Sequence, residues 1–77
     1  MEAKALLLYK HCLQQIGIDQ DKLTEEVLDK YRTCCKVIVR VNQHADFDQL
    51  SDHCITAFNF LTENPGANLP AASFIID

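Results

Sequence analysis

The fold class of this chain depends on residues 24–43, TEEVLDKYRTCCKVIVRVNQ. Residues 35–41 are rich in β-branched side chains and show a period of two, which is typical of a strand. At helical spacing, however, six polar side chains of the stretch fall within about 80° of arc. These are Glu25, Asp29, Arg32, Lys36, Arg40 and Gln43, and across from them lie Val27, Tyr31, Cys34, Cys35, Ile38 and Val41. One helical register accounts for the whole stretch, so we predict a helix over 24–43, with Thr24 or alternatively Asp21 as N-cap.

A helix is also predicted over residues 3–16. Its inward face, about 100° wide, holds Ala5, Leu6, Tyr9, Cys12, Leu13 and Ile16. Leu7 projects from the opposite side. Gly17 follows directly and is expected to adopt a left-handed conformation, with Ile18 covering Leu13 in a Schellman cap.

The third predicted helix covers residues 46–62. Asp46 and Gln49 have the spacing of a capping box. The core pattern then recurs at Leu50, Cys54, Ala57, Phe58 and Leu61.

The tail, residues 63–77, allows two interpretations. Pro70 suits the first position of a short fourth helix, whereas residues 73–76 suit an extended piece lying on the bundle. We therefore predict an all-α three-helix bundle with a short C-terminal tail or fourth element. The alternative is a small α+β unit with strands near 35–41 and 72–76. The apolar end of the tail suggests that residues 1–77 are a single domain of a longer chain.

Composition narrows the function classes. The chain has 77 residues, of which 48% are hydrophobic, and a net charge of −4. A chain of this length forms one small domain. Its hydrophobic fraction is too high for a disordered chain. The negative net charge disfavours binding to nucleic acid, which is itself negatively charged. No apolar run is long enough to span a membrane. The start of the chain does not resemble a signal peptide, so we expect a cytoplasmic or nuclear protein.

Four cysteines, Cys12, Cys34, Cys35 and Cys54, fall within apolar-periodic segments. Buried free cysteine behaves as a small hydrophobe, so we expect reduced thiols packed in the core. No Cys or His pair has the spacing of zinc ligands, and no glycine-rich loop is present to hold phosphate. We therefore predict no catalytic residue, no cofactor and no metal site.

Apolar positions beyond a single buried face indicate either a central helix that contacts two neighbours and the tail, or a contact surface for a partner. They are Leu7, Val37, Val39, Phe60, Phe74 and Ile75, and a basic stripe of Arg32, Lys36 and Arg40 accompanies them. The sequence thus predicts a non-enzymatic protein–protein interaction or assembly domain, a scaffold or adaptor. Its partner would be a helix or acidic segment of another protein, or a second copy. The alternative is a helical module that binds nucleic acid through the Arg32/Lys36/Arg40 stripe.

Overall fold

The computed structural model describes residues 3–64 and 66–76. Three α-helices follow one another: α1 (Ala3–Ile16), α2 (Glu25–Val41) and α3 (Phe47–Glu63). Short 3₁₀ turns lie at Gln20–Lys22 and Ala71–Phe74. The three-helix bundle with a short C-terminal element is confirmed. The described part of the chain contains no strand, so the α+β alternative is wrong.

Side-chain caps explain where α2 and α3 begin. The Thr24 hydroxyl accepts a hydrogen bond from the Val27 amide at 3.3 Å. The Asp46 carboxylate accepts from the Gln49 amide at 2.8 Å, and the Gln49 side chain accepts from the Asp46 amide at 3.0 Å. Both predicted caps are confirmed; caps of this kind typically contribute about 1 kcal/mol each.

Gly17 ends α1 as predicted. Its φ is 71°, a left-handed value that favours glycine. The Ile18 amide donates to the Leu13 carbonyl and the Gly17 amide to the Gln14 carbonyl, both at 3.2 Å. This pair of hydrogen bonds is the Schellman motif.

The core lies between the three helices, each of which contacts the other two. The whole predicted inward face of α3 is buried. In α1 and α2 the buried arc is about 140° wide and is centred to one side of the predicted face. Leu8 and Val39 are therefore buried, whereas Leu6 (38% exposed) and Val41 (44%) were wrongly predicted to face the core.

The tail packs against the bundle through Leu69, Phe74 and Ile76. Pro70 is extended (φ −66°, ψ 149°) and precedes the 3₁₀ turn, so the tail adds neither a fourth α-helix from Pro70 nor a fully extended strand. Asn42, which follows α2 and is fully buried, holds this tail in place. Its side chain donates to the Phe74 carbonyl at 2.7 Å and accepts from the Ile76 amide at 2.8 Å.

Candidate functional site

Two adjoining pockets lie on the surface between α2 and α3, and we call them pocket A and pocket B. Pocket A has a volume of about 220 Å³ and is bordered by α2, α3 and the tail. It is lined by Asp29, Lys30, Thr33, Cys34, Leu61, Ala67, Asn68, Leu69 and Phe74. Pocket B has a volume of about 150 Å³ and is lined by Leu23, Val27, Lys30, Tyr31, Leu61 and Thr62. Together they form what we call the α2–α3 groove, in which Lys30 and Leu61 are shared by the two pockets.

Pocket A lies further along α2 than pocket B. The α2 residues that border only pocket B are Val27 and Tyr31. Those that border only pocket A are Asp29, Thr33 and Cys34.

The wall of pocket B is held rigidly. The Tyr31 ring stacks on Phe58 with centroids 4.5 Å apart and an interplanar angle of 14°. Its hydroxyl lies 2.7 Å from the Thr62 hydroxyl, which donates to the Phe58 carbonyl at 2.8 Å. The Tyr31 hydroxyl is therefore the donor to Thr62. Because stacking and hydrogen bonding fix the ring, pocket B is formed before any ligand arrives.

Pocket A is also preformed and mainly apolar. Leu61, Leu69 and Phe74 line it together with the Cys34 thiol. Burial raises the pKa of that thiol to about 12, so it is neutral at physiological pH. The Asn42 hydrogen bond to the Phe74 carbonyl holds the tail side of the pocket.

Both pockets are smaller than the roughly 300–1,000 Å³ of sites for drug-sized ligands. Each instead has the size to receive one apolar side chain. Small preformed pockets of this type are where anchor residues insert at protein interfaces.

The predicted contact residues do not converge on this groove. Leu7 (63% exposed), Phe60 and Ile75 are exposed, and Val37 is half-buried, but none of these four lines pocket A or B. Phe74, half-buried against the core, does line pocket A.

Val39 was predicted to be an exposed contact residue, and that is wrong. It is only 6% exposed and belongs to the core cluster. The reason is the rotation of α2, whose buried face extends past the one predicted from its apolar stripe alone.

The basic stripe is divided by the fold. The Arg32 guanidinium lies 3.1 Å from a Glu25 carboxylate oxygen and 3.8 Å from Asp29, and 5.9 Å from the centroid of the Tyr9 ring. Its charge is therefore largely satisfied within the chain. Lys36 and Arg40 are exposed, and neither has a carboxylate within ion-pair distance among the described residues.

Arg40 also borders a separate cleft of about 360 Å³ at the other end of α2. The lining residues are Lys4 from α1 together with Val39, Arg40 and Gln43. Three of the four side chains are exposed and polar. The cleft is thus an open polar surface, in contrast with the mainly apolar α2–α3 groove.

The four cysteines are free and buried, which confirms the prediction that they do not form disulfides. Contact with the Cys54 thiol and burial raise the pKa of Cys12. For Cys54, contact with Cys12 lowers the pKa, but contact with Cys35 and burial outweigh it. Neutral, buried thiols are poor nucleophiles. Within residues 3–64 and 66–76, no group of three or more His, Cys, Asp or Glu is arranged to hold a metal ion.

Sequence reasoning missed the groove residues Thr33 and Leu69 and the tail clamp Asn42. The apolar arc of α2, wider than one buried face requires, was the available signal for the groove. Asn42 carried no such signal, because its partners Phe74 and Ile76 are more than thirty positions away.

Comparison with protein-family models, curated proteins and solved structures finds no match to this chain. None of the helices in the described residues has the length and apolar character needed to cross a lipid bilayer.

Proposed function

We propose that this chain is a non-enzymatic protein–protein interaction or assembly domain, which binds a helix of its partner in the α2–α3 groove. The observation that carries the proposal is the pair of adjoining pockets, each of side-chain size. An amphipathic helix that presents apolar side chains at positions i and i+4 would place one in each pocket. This is the helix-in-groove mode of recognition.

The rigidity of the groove supports the same proposal. Tyr31 is fixed by Phe58 and Thr62, and the tail wall is fixed by Asn42. A preformed site loses little conformational entropy on binding, so more of the contact energy appears as affinity.

The neutral, buried thiols favour a binding role over catalysis. Reduced cysteines also suit an intracellular setting, cytoplasmic or nuclear, where thiols are kept reduced. The partner is another protein or a second copy of this chain, and the domain acts as a scaffold or adaptor.

A partner-capture assay with matched surface variants tests the proposal. Thr33 is an exposed α2 residue that lines pocket A, and Thr33→Arg fills the pocket mouth without removing a core side chain. Asn59→Arg makes a comparable change on an exposed position of α3 that lines neither pocket. We expect Thr33→Arg to reduce capture about tenfold or more, and Asn59→Arg to leave it unchanged.

Two further variants separate the groove from the other apolar positions. Leu7→Ser and Phe60→Ser each remove an exposed apolar side chain outside the groove. If either abolishes capture while Thr33→Arg does not, the partner binds elsewhere and the assignment of the groove is wrong.

A further inference from the structure

The α2–α3 groove lies at the more acidic end of the bundle. Asp29 lines pocket A. On α2, Glu26 is four positions before Lys30, which lines both pockets, so these two side chains are neighbours on the helix surface. Glu63 lies in the last turn of α3, at the same end of the bundle. All three carboxylate residues are exposed.

The connection before α2 adds to this charge. Asp19 and Asp21 are exposed and lie just before Leu23. Counting Asp19, Asp21, Glu25, Glu26, Asp29 and Glu63 against Lys22, Lys30 and Arg32 gives six acids and three bases, a local net charge of −3. Lys30 already has an interaction partner within the chain, so it is not a free cation in the groove.

We propose that the helix bound in the α2–α3 groove is a basic amphipathic helix, with two apolar anchors one turn apart and lysine or arginine residues flanking them. The inference rests on the proposed function and names the chemistry of its partner. Apolar pockets take the anchors, while the surrounding carboxylates attract the flanking cations. A basic partner helix replaces the acidic partner segment expected from the sequence. Arg32 is the member of the basic stripe nearest the groove, and it is already paired with Glu25 and Asp29.

Three fluorescein-labelled helical peptides of about 16 residues test the inference by anisotropy. The first carries two leucines at i and i+4 and four flanking lysines on an alanine background. The second replaces the lysines by glutamates, and the third replaces the leucines by alanines. We expect the first peptide to bind about tenfold more tightly than the second at about 50 mM salt, and this ratio to shrink at about 500 mM. The third peptide should bind weakly.

Paired variants of the full chain locate the effect. Glu26→Gln with Asp29→Asn should weaken the first peptide about fivefold, whereas Asp48→Asn with Asp52→Asn, the same charge change on the first half of α3, should change it less than about twofold. Equal binding of the lysine and glutamate peptides overturns the charge inference and leaves the groove in place. Equal binding of the first and third peptides overturns it as well, because the anchors would then contribute nothing. If neither leucine peptide binds, both the inference and the helix-in-groove function fail.

Discussion

Asn42 is the residue whose replacement tests the attachment of the tail most sharply. Its side-chain amide donates to the Ile38 carbonyl at 2.8 Å and to the Phe74 carbonyl at 2.7 Å, and its oxygen accepts from the Ile76 amide at 2.8 Å. Asn42→Ala removes all three hydrogen bonds. At about 1 kcal/mol for each bond, the free energy of unfolding should fall by about 3 kcal/mol.

A loss of this size is large for a domain of 77 residues, whose total stability is expected to be about 4–12 kcal/mol. It corresponds to a fall in Tm of about 12–24 °C. Urea unfolding followed by circular dichroism measures the change. Amide hydrogen exchange of residues 67–76 shows whether the tail is the part that opens.

The matched control is Asn59→Ala, which truncates an exposed asparagine of α3. It should change stability by less than about 0.5 kcal/mol. If Asn42→Ala costs less than about 1 kcal/mol, or if exchange in the tail is unchanged, then Asn42 does not hold the tail and the reasoning is refuted.

Three further predictions concern the core. The raised pKa values of Cys12, Cys34 and Cys54 mean that the fold favours neutral thiols. Their contribution to stability is complete below about pH 8 and falls as the pH rises through the ordinary pKa of a thiol, by about 4 kcal/mol in total at pH 10 in urea unfolding; an unchanged stability between pH 8 and pH 10 would contradict this. The same three thiols should react with a disulfide reagent only at the rate of unfolding, so rapid labelling of the native protein would show that they are accessible. The Tyr9 hydroxyl is buried without a hydrogen-bond partner among the described residues. Tyr9→Phe should therefore leave the free energy of unfolding unchanged or raise it by about 1 kcal/mol. A loss of similar size would mean that the contact between Tyr9 and Arg32 stabilises the fold by more than the unpaired hydroxyl destabilises it.

Local signals predicted the helices and their ends well. The caps at Thr24 and Asp46 and the glycine after α1 each depend on residues within five positions, so the sequence pattern contains all the information that they need. The helical interpretation of residues 35–41 was also correct, because a continuous polar face outweighed the local preference of β-branched residues for strands.

The exact buried faces could not be derived in the same way. Which side chains of α1 are buried depends on how α2 and α3 are placed around it, and this moved Leu8 into the core and Leu6 out of it. The hydrophobic periodicity of one helix gives the direction of a single face. A wide apolar arc, as on α2, indicates a second neighbour but does not give the side on which that neighbour packs.

The α2–α3 groove could not be predicted from the sequence for a related reason. Pocket A joins Thr33 and Cys34 of α2 to Leu69 and Phe74 of the tail, more than thirty positions later. A pocket of this kind exists only once the tail has packed, and its position depends on the Asn42 clamp.

The claim that a partner occupies the α2–α3 groove is tested most directly by photo-cross-linking. A benzophenone amino acid replaces Thr33, which lines pocket A, in one variant and Asn59, outside both pockets, in the other. Irradiation in the presence of the partner, or of the concentrated chain if the partner is a second copy, should give a discrete adduct from position 33 and none from position 59. Mass spectrometry should then map that adduct to an amphipathic helix of the partner. An adduct from position 59 alone, or no discrete adduct from position 33, would contradict the account.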